Sequence, residues 1–267
     1  MKEVGLLILV LIIGLIFVLK INSDRARKTP WLKGYFAHRG LYTKDQMISE
    51  NSMGALKNAI EKGYGIELDV QLSKDKIVYV FHDDDLKRMT GLEGILEDKT
   101  SFELDQLQLI GSGERIPRLS SVLDVICGQV PLLVELKTSQ RKKESVTTVI
   151  KVMAHYDGRY AYCSFDPIML GLIRKYAPSQ LRGLNMEYAL DKKHLSLLTR
   201  IVLQFALLNF TNKPDYLSVD YSHIPFVYKL WHQFGAFGMM WAVPTQSAEE
   251  KIKSQCETII FDGYIPG

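Results

Sequence analysis

Cysteine is scarce in this 267-residue chain, with three in all, spread far apart at Cys127, Cys163 and Cys256. An odd, small number excludes a disulfide-stapled scaffold, and without a C-x-x-C pair a zinc site has no support. Excess charge of one sign is also missing: 33 Lys and Arg against 30 Asp and Glu leave a balance of +3. With 47% hydrophobic residues, so small a balance excludes an intrinsically disordered protein. Nine prolines and nineteen glycines are too few for a collagen-like or low-complexity chain. No internal repeat is evident. What is left is an ordinary globular composition, long enough for one large α/β domain or two small ones.

One long apolar run is present. Residues 4–19 read Val-Gly-Leu-Leu-Ile-Leu-Val-Leu-Ile-Ile-Gly-Leu-Ile-Phe-Val-Leu without interruption, near the lower limit of about 17 residues for a membrane-spanning helix. A core helix would show a polar face, so the run reads as a short transmembrane helix or the apolar region of a signal peptide. No small-x-small cleavage site follows closely, and a single uncleaved N-terminal transmembrane helix is expected. Lys2 precedes the run, whereas Lys20, Arg25, Arg27, Lys28 and Lys33 follow it. That asymmetry predicts a single-pass protein of the cell membrane with the following domain on the cytoplasmic side, and unpaired cysteines agree with a reducing compartment. Residues 1–33 are therefore expected to form an anchor and basic stalk, and residues 34–267 a separate folded domain. The local balance of residues 20–33 is +4, which leaves −1 for the rest. The basic total thus belongs beside an anionic leaflet, and nucleic-acid binding loses its only support.

From residue 34 onward, short apolar runs alternate with helical patterns. Candidate strands are Tyr35–His38, Ile66–Gln71, Ile77–His82, Leu132–Lys137, Ala161–Phe165, Leu181–Asn185, Tyr216–Asp220, Phe237–Val243 and Thr258–Asp262. Helix ends are marked by Ser52 before Ala55 and Leu56, by Asp166-Pro167, by a capping box of Ser247 with Glu250, and by Gly63, Gly128 and Gly235. Val70 and Val78 are separated by a turn-like Ser73-Lys74-Asp75-Lys76, far too short for a parallel crossover. The strand over Ile77–His82 must therefore return as a hairpin. Eight strands with helix-length connections remain, which is the count of an α/β (β/α)8 TIM barrel with an extra β-hairpin after the second strand. A second apolar run, residues 197–210, is broken by Arg200, Gln204 and Asn209. A barrel helix packed on the core is preferred there over a membrane-dipping one.

Polar residues gather at the ends of these strands: His38 and Arg39, Glu67 and Asp69, His82, then Glu135 and Lys137. Residues two apart on a strand share a face, so Glu67 projects with Asp69 and Glu135 with Lys137. Three carboxylates converging at a barrel mouth would repel unless a cation joined them. Oxygen-only ligands favour a hard divalent ion, Mg²⁺ or Ca²⁺, over zinc. Any one of these acids could equally be a surface group. Two histidines beside such a cluster suit general acid and base roles near neutral pH. Arg39 and Lys137 offer charge for a phosphate oxyanion, although Arg39 could instead neutralise Glu50 or Asp69.

These residues carry a resemblance. The chain resembles the glycerophosphodiester phosphodiesterase family, within the phosphatidylinositol-phospholipase-like barrels. The match begins at Ala37-His38-Arg39-Gly40 and runs through Glu50-Asn51-Ser52, Glu67-Leu68-Asp69-Val70, Val80-Phe81-His82-Asp83, Leu86-Lys87-Arg88-Met89-Thr90, Ile116-Pro117-Arg118-Leu119, Glu135-Leu136-Lys137 and Ser164-Phe165. It closes more loosely over Ser218-Val219-Asp220-Tyr221, Met240-Trp241-Ala242-Val243 and Ile259-Ile260-Phe261-Asp262. The resemblance implies His38 and His82 as the catalytic pair and Glu67, Asp69 and Glu135 as ligands of one divalent cation. It further implies Arg39 and Lys137 on the phosphate, Trp241 on the glycerol or head-group side, and Glu50 as a supporting residue. Three positions depart from the family pattern: Ser49 stands for a proline, Pro244 for an asparagine, and Phe261-Asp262 for Thr-Asp.

The activity implied is metal-dependent hydrolysis of glycerophosphodiesters to a glycerol phosphate and an alcohol. The substrate would be a small-molecule or lysolipid phosphodiester, so a lysophospholipase D-like enzyme at the membrane is an alternative. An inert, tethered phosphodiester-binding module is a third reading, though it has little need for both histidines.

Overall fold

The computed structural model describes Gly14, Lys20, Ile21 and residues 23–266 except His194. The nine expected strands are all present. They are β1 (Gly34–Ala37), β2 (Gly65–Leu72), β3 (Val78–Val80), β4 (Leu132–Leu136), β5 (Tyr160–Ser164), β6 (Arg182–Met186), β7 (Tyr216–Asp220), β8 (Phe237–Val243) and β9 (Thr258–Phe261). All but β3 pair in parallel with the next barrel strand, and β1 closes the ring by pairing with both β9 and β2. The exception is the hairpin strand, antiparallel to β2. β1 covers only Gly65 and Ile66 of the long β2, and β3 takes Val70–Leu72. The hairpin therefore raises the barrel wall where β1 is too short.

Strand alternation sorts the side chains into two cores. Outward-facing Ile66, Leu68, Val70, Leu132, Val134 and Leu136 pack with the helices, among them Leu56 and Ala59 of the helix Met53–Glu61 and Val146 and Val149 of Lys142–Met153. Inward-facing Phe36, Leu133, Ala161, Tyr216, Phe237 and Ile260 fill the barrel. Two inward positions are glycines because rings occupy their side-chain space. A Cβ on Gly65 would lie 2.5 Å from the Phe36 ring, and one on Gly183 1.9 Å from the Tyr216 ring.

Caps follow local chemistry. Ser52 accepts the Ala55 N–H and Asp166 accepts those of Ile168 and Met169. The expected Ser247 capping box is displaced: the helix Gln246–Ile252 is capped by Thr245, whose extended backbone aims its hydroxyl at the Ala248 N–H, leaving Ser247 inside the first turn.

The segment read as a basic stalk is docked: Ile21 is already buried in the outer core, and the chain is held from Ser23 onward. A helical turn, Asp24–Arg27, and a 3-10 turn, Pro30–Leu32, close the floor of the barrel, with Ala26 and Leu32 fully buried among the inward side chains. Ser23 Oγ donates to the Asp215 carbonyl and accepts the Phe237 N–H, both at 2.8 Å. Arg27 Nε donates to the Gly235 carbonyl at 2.7 Å, and Arg25 reaches the carbonyls of Pro178 and Ser179. Here cations satisfy the carbonyls of floor loops.

The apolar run of residues 4–19, expected to span a membrane, lies outside the described residues apart from Gly14. Among the described residues no helix is long and apolar enough to cross one. The run 197–210 departs from its expected packing. Its helix, Leu197–Gln204, buries only Gln204, while Leu197 and Leu198 are 62% and 72% exposed. Its inner side, Val202 and Leu203, borders a cavity instead of the core.

Candidate active site

The upper ends of the inward-facing columns turn polar. Phe36 is followed by His38, Gly65 by Glu67 and Asp69, Leu133 by Glu135 and Lys137, Gly183 by Asn185, Tyr216 by Ser218, and Ile260 by Asp262. These side chains line a cavity of about 660 Å³ at the carboxyl end of the barrel. Of the site residues expected from the sequence, His38, Arg39, Glu67, Asp69, His82, Glu135, Lys137 and Trp241 lie on its wall. Glu50 lies behind Arg39.

Carboxylate oxygens of Glu67, Asp69 and Glu135 come within 4.8 Å of one another, and all three residues are buried. Lys137 Nζ donates to Glu135 at 2.9 Å and lies 3.6 Å from Asp69. Burial would raise Asp69, but Lys137, His82 and Arg39, with the Asn51 amide at 2.9 Å, outweigh it and hold Asp69 below the usual carboxylate range. Burial also opposes the charge of Lys137, which Glu135 and Asp69 more than restore. Glu67 is the least compensated. Burial, then Asp69 and Glu135, push its carboxyl well above the ordinary range. Its one ion-pair contact among the described residues is the His38 ring at 3.9 Å. A buried, all-oxygen set with one under-neutralised carboxylate fits a hard divalent cation.

Each histidine is fixed through Nδ1 by a carboxylate. His38 Nδ1 lies 3.3 Å from Asp262, which also accepts the Tyr42 hydroxyl. His82 Nδ1 lies 2.7 Å from Asp83. An ionised carboxylate can only accept, so Nδ1 carries the proton and Nε2 is left for the cavity. Arg88 links the two sides of the mouth, donating to Asp83 and, through both terminal nitrogens, to Glu50 at 2.7 and 3.0 Å. Glu50 also takes Arg39 at 2.7 Å. Burial opposes the ionisation of Glu50, but Arg88 and Arg39 hold it below the usual range.

Backbone conformation aims the Arg39 N–H. The residue is left-handed, at φ 57°, and its N–H donates to Glu67 at 3.1 Å. Gly40 follows at φ 78°, where a Cβ would lie 2.9 Å from the Ala55 backbone. That makes the third residue of His-Arg-Gly a packing requirement. Trp241 sits beside a bulge between β8 and β9 with Ala242 at φ 55°. Its ring meets Phe165 edge-on at 5.7 Å. Four buried polar atoms on the cavity wall have no protein partner within hydrogen-bond reach: Arg39 Nε, Asn185 Oδ1, Ser218 Oγ and Trp241 Nε1. Groups of this kind are where a polar ligand would bind.

Sequence reasoning missed Asp83 and Asp262 as histidine partners, Arg88 as the bridge, and Asn51, Asn185 and Ser218 as wall or support. The signal was available in part. Extending the two-residue alternation along β6, β7 and β9 picks out Asn185, Ser218 and Asp262.

The model of the Glycerophosphoryl diester phosphodiesterase family matches residues 38–263. The chain belongs to this family. It is 35% identical over 161 residues to a glycerophosphodiester phosphodiesterase of Caldanaerobacter subterraneus, covering 55% of this chain and 64% of that relative. It is 32% identical over 155 residues to one from Bacillus altitudinis, covering 54% and 62%. The matched segment thus spans a little under two thirds of the length of these relatives. The fold resembles that of a phosphodiesterase from Oleispira antarctica, solved with the product sn-glycerol-3-phosphate, at a TM-score of 0.71 and 24% identity over 86% of this chain and 93% of that one.

Ser49, one of the departures from the family pattern, serves a local purpose. It is fully buried, donating to the Ile110 carbonyl at 3.0 Å and accepting the Ser112 N–H at 3.3 Å. A proline could do neither.

Proposed function

We propose that the chain hydrolyses glycerophosphodiesters to a glycerol phosphate and an alcohol, with His38 and His82 moving the protons. The observation that carries this reading is the pair of histidines, each held through Nδ1 by a carboxylate, on the wall of one cavity with the buried acidic trio. Family membership and the product held by the Oleispira enzyme support it.

Glu67, Asp69 and Glu135 would hold a divalent cation, Mg²⁺ or Ca²⁺, which when bound supplies positive charge that polarises a phosphate oxygen. Lys137 and Arg39 add positive charge on the same wall and orient the phosphate. Nε2 of one histidine takes the proton of the glycerol 2-hydroxyl as that oxygen attacks phosphorus. Nε2 of the other gives a proton to the departing alcohol. Water then opens the resulting cyclic phosphate with the two roles exchanged. Trp241 Nε1 and Ser218 Oγ supply unmatched polar groups for glycerol hydroxyls.

The test is purified protein incubated with a panel of glycerophosphodiesters in Mg²⁺, Ca²⁺ or EDTA, with both products identified. Cation-dependent release of glycerol phosphate is expected. Absence of hydrolysis across the panel would overturn the reading in favour of a binding module.

A further inference from the structure

The carboxylates that hold Arg39 and His82 meet at a residue the proposed reaction does not use. Arg88 stands behind the cavity wall, its side chain 47% exposed. Two edges of its guanidinium face two acids. Nε and Nη2 donate to Asp83 at 2.5 and 3.0 Å, and Nη1 and Nη2 donate to Glu50 at 3.0 and 2.7 Å. Nη2 is common to both forks, and the two oxygens it reaches already have other partners. Asp83 Oδ1 takes His82 Nδ1 at 2.7 Å, and Glu50 Oε1 takes Arg39 Nη1 at 2.7 Å. His82 and Arg39 are thus joined by an unbroken line of hydrogen bonds through one nitrogen. The turn that carries Arg88 is itself anchored. Leu86 and Met89 are buried with Tyr79 and Phe81 in a core of the hairpin's own, and the Met89 carbonyl accepts the Ile110 N–H at 2.7 Å. The Ile110 carbonyl accepts Ser49 Oγ, so the residue before Glu50 is tied to the residue after Arg88.

We propose that Arg88 is a positioning residue that holds the phosphate-orienting Arg39 and the proton carrier His82 in one fixed relation. The inference rests on the phosphodiesterase reading and adds to it a residue that touches no reacting atom. Arg39 and His82 act on different oxygens around a single phosphorus, so an error in the placement of one against the other is felt at the same atom. A misplacement of about 1 Å costs about 10²-fold in rate. A planar guanidinium suits the task because it grips two carboxylates by two edges at once, which a lysine, as a point charge on a flexible stem, does not. With Arg88 gone, Asp83 and Glu50 would face each other as like charges and repel. Each would carry its own partner with it, His82 one way and Arg39 the other.

The experiment measures kcat/KM on glycerophosphocholine, with Mg²⁺ or Ca²⁺ present, for the full-length protein and for Arg88→Gln, Arg88→Lys, Glu50→Gln and the double variant Glu50→Gln/Arg88→Gln. Arg88→Gln should lose about 10–100-fold while its circular dichroism stays that of the folded protein. Arg88→Lys should recover little of that loss although it keeps the charge. The double variant should fall no further than the worse of its two single variants, because both residues act through one network. In Arg88→Ala, millimolar methylguanidine should restore part of the lost rate without raising the melting temperature, a result that a merely stabilising role would not give. Wild-type rates in Arg88→Gln, full recovery in Arg88→Lys, no rescue by methylguanidine, or losses that multiply in the double variant would overturn this inference and leave the phosphodiesterase reading standing. A wild-type protein that hydrolyses no glycerophosphodiester overturns both.

Discussion

The two halves of the barrel interior are built from the same alternating strand positions but to opposite rules. In the lower half, Phe36, Leu133, Tyr216 and Phe237 interlock around glycines at 65 and 183 and are sealed by Ala26 and Leu32. Asp215 belongs to that region, and burial raises its carboxyl above the ordinary range. In the upper half, two residues further along each strand, Glu67, Asp69, Glu135 and Lys137 face one another. The carboxyls of Asp69, Asp83 and Asp262 are held low there by hydrogen-bond donors and cationic neighbours despite burial. The lower half secures one conformation by filling space. The upper half leaves polar atoms unmatched and charges close together, an arrangement that suits a ligand more than a core.

The sharpest way to break this contrast is to remove the proton carriers. His38→Ala and His82→Ala should each lower turnover about 10²–10⁴-fold, with circular dichroism and melting temperature close to wild type. Wild-type rates in either variant would end the two-histidine mechanism. Next in size is Glu50→Gln, which weakens the hold on Arg39 and Arg88 without touching the cavity wall. Losses of support of this kind cost about 10–100-fold in activity, read as kcat/KM on glycerophosphocholine. Gly183→Ala probes the lower half. Its methyl would meet the Tyr216 ring at 1.9 Å, so thermal or urea unfolding should show a loss of about 1–3 kcal/mol. The rate per folded molecule should be unchanged.

The smallest effect is in the pH dependence of stability, and its sign should differ between the halves. Glu50 ionises more readily folded than unfolded. Its contribution is therefore complete above the ordinary carboxylate range and is lost as pH falls through and below it. Asp215 keeps its proton longer when folded, so a cost appears as pH rises through that range. Urea unfolding between about pH 3 and 6 should show the advantage of wild type over Glu50→Gln growing with pH. The advantage over Asp215→Asn should shrink. Slopes of the same sign would remove the electrostatic half of the comparison.

Much of the barrel was legible because each strand is a short apolar run and the Ser73–Lys76 turn is too short for a crossover. The site was legible where chemistry sits two residues apart on one strand, as in Glu67 with Asp69 and Glu135 with Lys137. The floor was not. Asp24–Arg27 is a single charged turn, and nothing local reveals that Arg25 and Arg27 cap carbonyls more than 150 residues away. Partners on neighbouring strands from opposite ends of the chain escaped for the same reason: His38 after β1 and Asp262 after β9 sit side by side but are separated by 224 residues. The run 197–210 misled because apolar composition reports what a helix can bury, and here much of its surface faces a cavity and solvent.

The floor plug has a geometric consequence. The chain enters the barrel at Ser23, pinned to Asp215 and Phe237 at the amino ends of β7 and β8, whereas the cavity opens at the carboxyl ends. Anything that holds the protein by the segment before Ser23 therefore holds it by the floor, with the mouth pointing away. Whatever enters the cavity of a molecule held in that way would come to an upturned opening from the bulk solution, and not sideways out of the surface that holds it.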